Sequence, residues 1–467
     1  MKNLTIVVIG AGSASFGLET MGMLLQDHDL AGSTLALVDL NPDGLRQIHT
    51  LAQRMTDEWE TRIHITSSTE RRSVLAKADF VIVAIETGPR EELWELDYQI
   101  GLRNGLAPHY AENGGPGGFF HTARNIPPLL AIARDVAELA PDAWVINLTN
   151  PLPRLTRAIT KYTGVKTVGL CHQVMHGYRM AGVVLSDVLG LNAPDETTLV
   201  NDYAAQHAFE QRVMERISIH SAGLNHFIWA MGMHDRRTGE DLLPLFKREL
   251  AKFPTDRMPL TRKVYDVLGV LPLGGDTHMS EYLHWLHNPQ HSGWNRYHLH
   301  QYDRAKNKAR RDRTWARIDA MIKGEEPLVA GDDYASQGAH AIITGIAGDK
   351  RTYWQAVNLP NDGYISNLPD GVIVEVPGVI DSMGVKGVSV GALPPAVAEL
   401  CRREVALVDM VVDASVSGSR ELALQALLFD PMIDDIEMAE CLLDDYLTTH
   451  APYLPQFSTA AEPIAAR

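Results

Sequence analysis

The sequence predicts an α/β fold, a parallel sheet covered by helices on both faces, followed by a mixed α+β region. Three observations carry this prediction. An apolar strand, Thr5 to Ile9, runs directly into the turn Gly10-Ala11-Gly12-Ser13. Strand-like and helix-like stretches then alternate through the first third of the chain, the pattern that crossover connections impose on a parallel sheet. Beyond about residue 200 the rhythm changes to amphipathic helices and short strands separated by Asn-Asp-Gly and Pro-Asp-Gly turns.

The opening strand and turn read as a Rossmann-type nucleotide site in degenerate form. Without side chains at Gly10 and Gly12, backbone amides approach a pyrophosphate at the start of the next helix. The usual third glycine is absent: Ser15 stands in its neighbourhood and the next glycine is Gly17. The second strand, 35–40, carries Asp39, placed to bind the adenosine ribose hydroxyls and so to favour NAD+ over its phosphorylated form. The plainer alternative is that Asp39 only closes the turn with Asn41-Pro42-Asp43. Gly10, Gly12, Ser13, Ser15 and Asp39 are the candidate cofactor contacts.

Further strands are expected at 63–66, 80–85, 144–147 and 165–170, and their C-terminal ends are where ligands bind in open α/β sheets. Downstream, helices are expected at 202–217, 304–321, 404–413, 420–428 and 434–449, with short strands at 352–357, 364–366 and 372–376. The chain divides at about residue 200. Residues 1–200 form the nucleotide-binding domain and 201–467 a second domain of helices around a small antiparallel sheet.

Bulk properties exclude several classes. At 467 residues the chain exceeds the size that one core serves. Its formal charge of −16, from 42 basic and 58 acidic residues, argues against nonspecific nucleic-acid binding. No apolar stretch is long enough to span a membrane, and no cationic leader precedes the first strand, so a cytoplasmic location with no membrane partner is expected. The 3 cysteines are too scattered for a disulfide framework.

The residues with chemical potential lie at strand ends. Cys171-His172 follows the strand at 165–170, and Asn225-His226 follows an apolar run at 217–222. A thiolate and an imidazole brought together there hold a divalent ion and leave positions for substrate oxygens. On these residues alone, an ordinary buried cysteine is the commoner outcome. Asn147-Leu148-Thr149-Asn150-Pro151 offers amide groups suited to a polyol or carboxylate, or simply a strand-ending turn. The segment Glu112 to Gly118 is too glycine-rich for a helix and reads as a loop with room for a ligand.

In order along the chain, these segments, with Asn361 to Pro369 and Val374-Glu375-Val376-Pro377, resemble family 4 of the glycoside hydrolases, which are NAD- and divalent-metal-dependent glycosidases. The resemblance runs along nearly the whole chain and implies the architecture of the lactate and malate dehydrogenases. It implies that Cys171 and His226 hold a Mn2+-like ion and that NAD+ is recycled rather than consumed. The implied chemistry is transient oxidation at C3 of the sugar, loss of the C2 proton, elimination of the aglycone and addition of water.

Gly274-Gly275-Asp276-Thr277-His278 looks like the Gly-Asp-x-His segment of the α-galacturonidase and α-glucosidase branch. It points to Asp276 as the base, with Tyr265 and Tyr282 in reserve. His172 stands where some relatives carry Asp or Asn, and its imidazole there protonates the leaving oxygen or else supports the metal. Asn147, Asn150, Asn225 and His278 are the implied substrate contacts.

The interval between Cys171 and His226 is longer than the family's, so residues about 180–215 read as an insertion beside the site or at a dimer interface. The expected substrate is an α-galacturonide or other α-uronide, then an α-glucoside or α-galactoside. A uronate needs a cation, and Arg90, Arg124, Arg154 and Arg179 are available. A homodimer or homotetramer is expected. The competing readings are an NAD-dependent 2-hydroxy-acid or sugar dehydrogenase with net hydride transfer, and a non-enzymatic NAD-binding protein.

Overall fold

The computed structural model describes residues 3–107, 110–287, 293–301, 303–329 and 338–458. Six strands of the first half pair in parallel: β1 (Thr5–Ile9), β2 (Thr34–Val38), β3 (His64–Ser68), β4 (Phe80–Val83), β5 (Trp144–Asn147) and β6 (Thr167–Gly169). Their spatial order is β3-β2-β1-β4-β5-β6, which reverses direction between β1 and β4 and opens a crevice at that switch point.

The inner strands β1, β2 and β4 are apolar and almost wholly buried because both faces are covered, whereas the edge strand β3, with His64, Thr66, Ser67 and Ser68, is polar and largely exposed. Ile6, Val8, Leu35 and Leu37 enter one core, while Val7, Ile9, Ala36 and Val38 enter the other. The first core is roofed by the helices Ala14–Gln26 and Pro42–Glu58, the second by Gly115–Leu139 and Leu152–Thr163. Helices from the second half return to complete both roofs. Arg304–Lys323 packs on Pro42–Glu58, and Pro395–Ser417 packs on Gly115–Leu139.

The antiparallel strands do not form a separate small sheet as expected. β7 (Ile217–Leu224), β8 (Phe227–Asp235), β9 (Leu271–Pro272), β10 (Thr352–Pro360) and β11 (Ile373–Asp381) extend the parallel sheet in the order β6-β10-β11-β7-β8-β9. β12 (Gly384–Gly387) pairs with β11 outside this path. The junction is Asn358 of β10 opposite Gly169 of β6. Glycine is needed there, since a Cβ on Gly169 would stand 2.7 Å from Thr156 Oγ1 and 3.0 Å from Asn358 Cβ.

Two further expectations change. The glycine-rich segment is not wholly a loop, because the helix Gly115–Leu139 begins inside it, with Pro116 in its first turn where a missing N–H costs nothing. Its glycines serve close approach: a Cβ on Gly117 would meet Ala111 Cβ at 2.6 Å. At 364–366 there is only a bridge from Ile365 to Gly391, because the Asn361 side chain takes the Ile365 N–H and the Ile365, Leu368 and Pro369 carbonyls. Among the described residues, no helix is long and apolar enough to cross a membrane.

Candidate active site

The nucleotide corner is assembled by the first two strands. Gly10 adopts φ +95, and a Cβ there would collide with the Ala84 carbonyl. The Gly10 and Ala11 amides donate to Val38 O at 2.9 and 3.1 Å, which closes the turn against the end of β2. Asp39 reaches back across it, accepting from Gly12 N at 2.7 Å and Asn41 N at 2.8 Å. Asn41, rather than Asp39, caps the helix Pro42–Glu58. Asp39 retains further acceptor positions beside the glycine turn, as a ribose contact requires. Ser13 occupies the N-cap position of the next helix and makes no side-chain capping bond. Ser15 falls in the first turn of that helix, and its side chain lies outside what is described.

Across the cleft, Cys171 and His226 meet. Cys171 Sγ lies 3.5 Å from His226 Nε2, joining residues 55 positions apart. One ion bound at about 2.3 Å to sulfur and about 2.1 Å to nitrogen spans donors at such a separation. Burial, then the positive fields of His278 and His172, hold His226 neutral, the form that binds metal. His226 Nδ1 is buried without a hydrogen-bond partner. Burial, reinforced by Glu375, pushes the Cys171 thiol up to about 12, so metal binding must displace its proton. Among the described residues no three His, Cys, Asp or Glu side chains converge as a ligand set. The pair therefore fits an ion whose remaining positions are filled by other ligands.

His278 completes this corner. Its ring stacks on His226 with centroids 4.3 Å apart, and Tyr110 packs edge-on against it at 5.2 Å. His278 Nδ1 lies 3.0 Å from Glu281 Oε1. Burial opposes its charge, but the Glu281 bond and the nearby Glu112 hold its pKa above the usual value.

Glu281 was missed in the sequence, where it looks like one more surface acid. It is fully buried, and Oε2 accepts the successive amides of Glu112, Asn113 and Gly114 at 3.0, 2.7 and 2.9 Å. One carboxylate thus fastens the glycine-rich segment of the first half to the His278 helix of the second. It also sits where the dipole of Gly115–Leu139 favours an anion. Asn150 reaches the same place, its Nδ2 lying 3.3 Å from Glu112 Oε1. Both side-chain polar atoms of Asn113 are buried and unpartnered.

His172, beside Cys171, is exposed to the cleft yet walled in, and its pKa is pushed down to about 4. Burial is the main cause, followed by His207, Arg179, His278 and Arg310. These neighbours give the cleft a local positive field within an acidic protein.

Other candidates take different positions. Asn147 is fully buried and committed to the strand-ending turn, donating to Thr156 Oγ1 at 3.0 Å and accepting from Thr149 N at 3.1 Å. Asn225 bonds Glu375 through Nδ2 and keeps Oδ1 unpartnered. Asp276 accepts from Leu260 N, Thr261 N and Thr261 Oγ1 at 3.0, 2.8 and 2.6 Å. That makes it a cap for the helix Pro259–Leu268 rather than a free carboxylate. Tyr265 packs on Phe246 under Lys247, with Asp241 and Asp266 as its charged neighbours, and none of these joins the Cys171 group. Tyr282 packs on Phe227 at 4.8 Å, and burial, then Glu281 and Glu404, hold its pKa well above 10.

Of the arginines, Arg124 is locked in a buried bidentate pair with Asp97. Arg179 binds Glu210 of the helix Tyr203–Arg216 at 2.7 Å, bringing the 180–215 segment to the wall near His172. Arg154 lies buried, 3.6 Å from Glu404. Arg90 is 3.8 Å from both Glu86 and Glu112, so it stands at the cleft.

Comparison with known proteins gives consistent matches. The family model described as family 4 glycosyl hydrolase matches residues 5–184, and that of its C-terminal domain matches 221–433. The chain is 29% identical to an alpha-glucosidase of Erwinia rhapontici, over 96% of this chain and 98% of the relative. It is 27% identical to an alpha-galacturonidase of Bacillus subtilis, over 96% and 97%. Among solved structures, the Bacillus subtilis protein lplD, assigned as a glucosidase, superposes with TM-score 0.79 at 26% identity, covering 95% of this chain and 100% of that one. A 6-phospho-alpha-glucosidase from gut microorganisms, in complex with NAD and Mn2+, gives TM-score 0.78 at 20% identity, covering 98% and 100%. At that identity the second likeness is one of fold.

Proposed function

The chain belongs to family 4 of the glycosyl hydrolases, and from that premise we propose that it cleaves α-glycosides using NAD+ and a divalent ion such as Mn2+. The observation that carries this reading is the Cys171–His226 pair, 3.5 Å apart at the open end of the sheet. The glycine turn with Asp39 offers the nucleotide its place across the same cleft. When bound, NAD+ supplies a hydride acceptor and the ion a Lewis acid for sugar oxygens.

The chain's own groups divide the remaining work. Cys171 and His226 hold the ion. Asn113, Asn150 and Asn225 line the cleft with amide groups that suit sugar hydroxyls. His278, with Nδ1 fixed on Glu281, presents Nε2 to the substrate and is the group best placed to deliver a proton. His172, neutral near pH 7, orients substrate by hydrogen bonding rather than delivering a proton. Asp276 and the two tyrosines are weaker candidates for the base, given the cap and the raised pKa values described above.

An α-galacturonide, or another α-uronide, is the proposed substrate, ahead of an α-glucoside or α-galactoside. Arg179 and Arg310, whose charges help hold the His172 pKa down, support an anionic glycone. Three free cysteines, one of them a metal ligand here, favour the reducing cytoplasm. Exposed Leu428, Phe429 and Ile436 on the C-terminal helices support a homodimer or homotetramer.

The test is to incubate reduced protein with NAD+, MnCl2 and nitrophenyl α-galacturonide, α-glucoside and α-galactoside in D2O. The galacturonide should turn over fastest, with deuterium at C2 of the released sugar and no net NADH. Release without deuterium rules out the elimination route, and net NADH with no release favours the dehydrogenase reading.

A further inference from the structure

The motif Val374-Glu375-Val376-Pro377, whose Glu375 entered above only as a neighbour of Cys171 and Asn225, places a carboxyl at 0% exposure within the sheet. Glu375 stands opposite Asn358 of β10 and opposite Gly223 of β7, and Asn358 stands opposite Gly169 of β6. Directly paired residues share a face, so the four positions form one rung across the sheet with a glycine at each end. Neither glycine has room for a side chain, since a Cβ on Gly223 would lie 2.5 Å from Phe227 O and one on Gly169 2.7 Å from Thr156 Oγ1. Cys171 and Asn225 follow just beyond the two ends of this rung.

The rung is polar and incompletely bonded. Glu375 Oε2 accepts from Asn225 Nδ2 at 2.9 Å, while Oε1 is buried without a hydrogen-bond partner. The Asn358 amide is its other side-chain neighbour, and Asn225 Oδ1 is buried without a partner. Among the described residues, Glu375 forms no ion pair. Burying such a carboxyl opposes folding, so its retention calls for a reason other than stability. His226 supplies one. It sits at φ 63 in the tight turn between β7 and β8, a conformation that a non-glycine residue keeps only when its surroundings hold it. The Glu375–Asn225 bond ties that turn, at the residue before His226, to the neighbouring strand.

We infer that Glu375 is a positioning residue for the metal pair: through Asn225 it fixes the turn that aims His226 Nε2 at Cys171 Sγ. This rests on reading Cys171 and His226 as metal ligands, and the test separates the two claims. Metal-free protein is titrated with MnCl2, following the loss of the free-ion electron paramagnetic resonance signal, and each variant is melted without metal.

Glu375→Leu and Asn225→Leu should each weaken Mn2+ binding about 10- to 100-fold, the range for residues that orient a ligand. The double variant should be no weaker than the worse single one. Glu375→Gln, which keeps the acceptor for Asn225, should bind within about threefold of the unaltered chain. Melting without metal should not fall in parallel with the loss of binding. If Glu375→Leu does not fold, Asn225→Leu decides the matter from the other end of the bond. Leucine variants that bind Mn2+ normally, or a glutamine variant as weak as the leucine one, overturn the inference while leaving the metal reading intact. An unaltered chain that binds no Mn2+ brings down both.

Discussion

The two corners of the cleft treat their polar groups in opposite ways. At the glycine-turn corner the bonds close locally: each Asp39 oxygen accepts from a backbone amide, and the Gly10 and Ala11 amides share Val38 O. At the Cys171–His226 corner they stay open, with His226 Nδ1, Asn225 Oδ1, Glu375 Oε1 and both polar atoms of Asn113 buried and unpartnered. Satisfied groups contribute to folding, whereas buried unsatisfied ones oppose it and mark where a ligand or water belongs. The first corner is stable as it stands. The second is built for occupancy.

That contrast breaks most visibly at Cys171. Cys171→Ser should weaken Mn2+ binding about 1000-fold, ~4 kcal/mol, with glycosidase activity lost in step and the metal-free melting temperature nearly unchanged. A large fall in stability, read by circular dichroism, would show that the thiol belongs to the core instead.

The next effect concerns pH. Burial raises the Glu375 carboxyl from 4.5 to about 7, so the folded state favours its protonated form. The associated stabilisation is fully present below about pH 4.5 and is lost as pH rises through about 7, at most about 3 kcal/mol. Urea unfolding of metal-free protein should therefore show Glu375→Gln more stable than the unaltered chain at pH 8 and equal to it at pH 4.

The smallest effect belongs to the closed corner and has the opposite sign. Asp39→Ala removes the acceptor of the Gly12 and Asn41 amides and should destabilise the protein by about 1–2 kcal/mol. It should also weaken NAD+ binding about tenfold, ~1.4 kcal/mol. An Asp39 variant more stable than its parent would erase the distinction between the corners.

The same contrast explains what could be read in advance. The strand, glycine turn and Asp39 were legible as one unit because they follow one another along the chain. The inner parallel strands were likewise legible from apolar runs that fill both cores, and β3 from its place in the alternation of strands and helices. Cys171 and His226 were recognised as a pair only through family resemblance, since 55 residues separate them and no local motif joins them. Glu281 and Glu375 gave no local sign of their roles. Each acts through groups brought to it from far along the chain, the 112–114 amides in one case and Asn225 in the other. Asp276 is a further case: Gly-Asp-x-His says nothing of the helix start at Leu260 and Thr261 that bonds its carboxylate. The glycine-rich segment was read as a loop because composition does not show that its missing side chains make room for Ala111 and Asn113.

The meeting of β6 and β10 at Gly169 and Asn358 has a mechanical consequence. Because hydrogen-bonded strands run without a break beneath both corners, the cleft has a stiff floor, and the two halves lack the hinge that would let them close like jaws. Any opening of the cleft then falls to its walls, among them the helix Tyr203–Arg216 held through Arg179 and Glu210. Such a floor holds the glycine turn after β1 and the Cys171–His226 pair in one fixed frame.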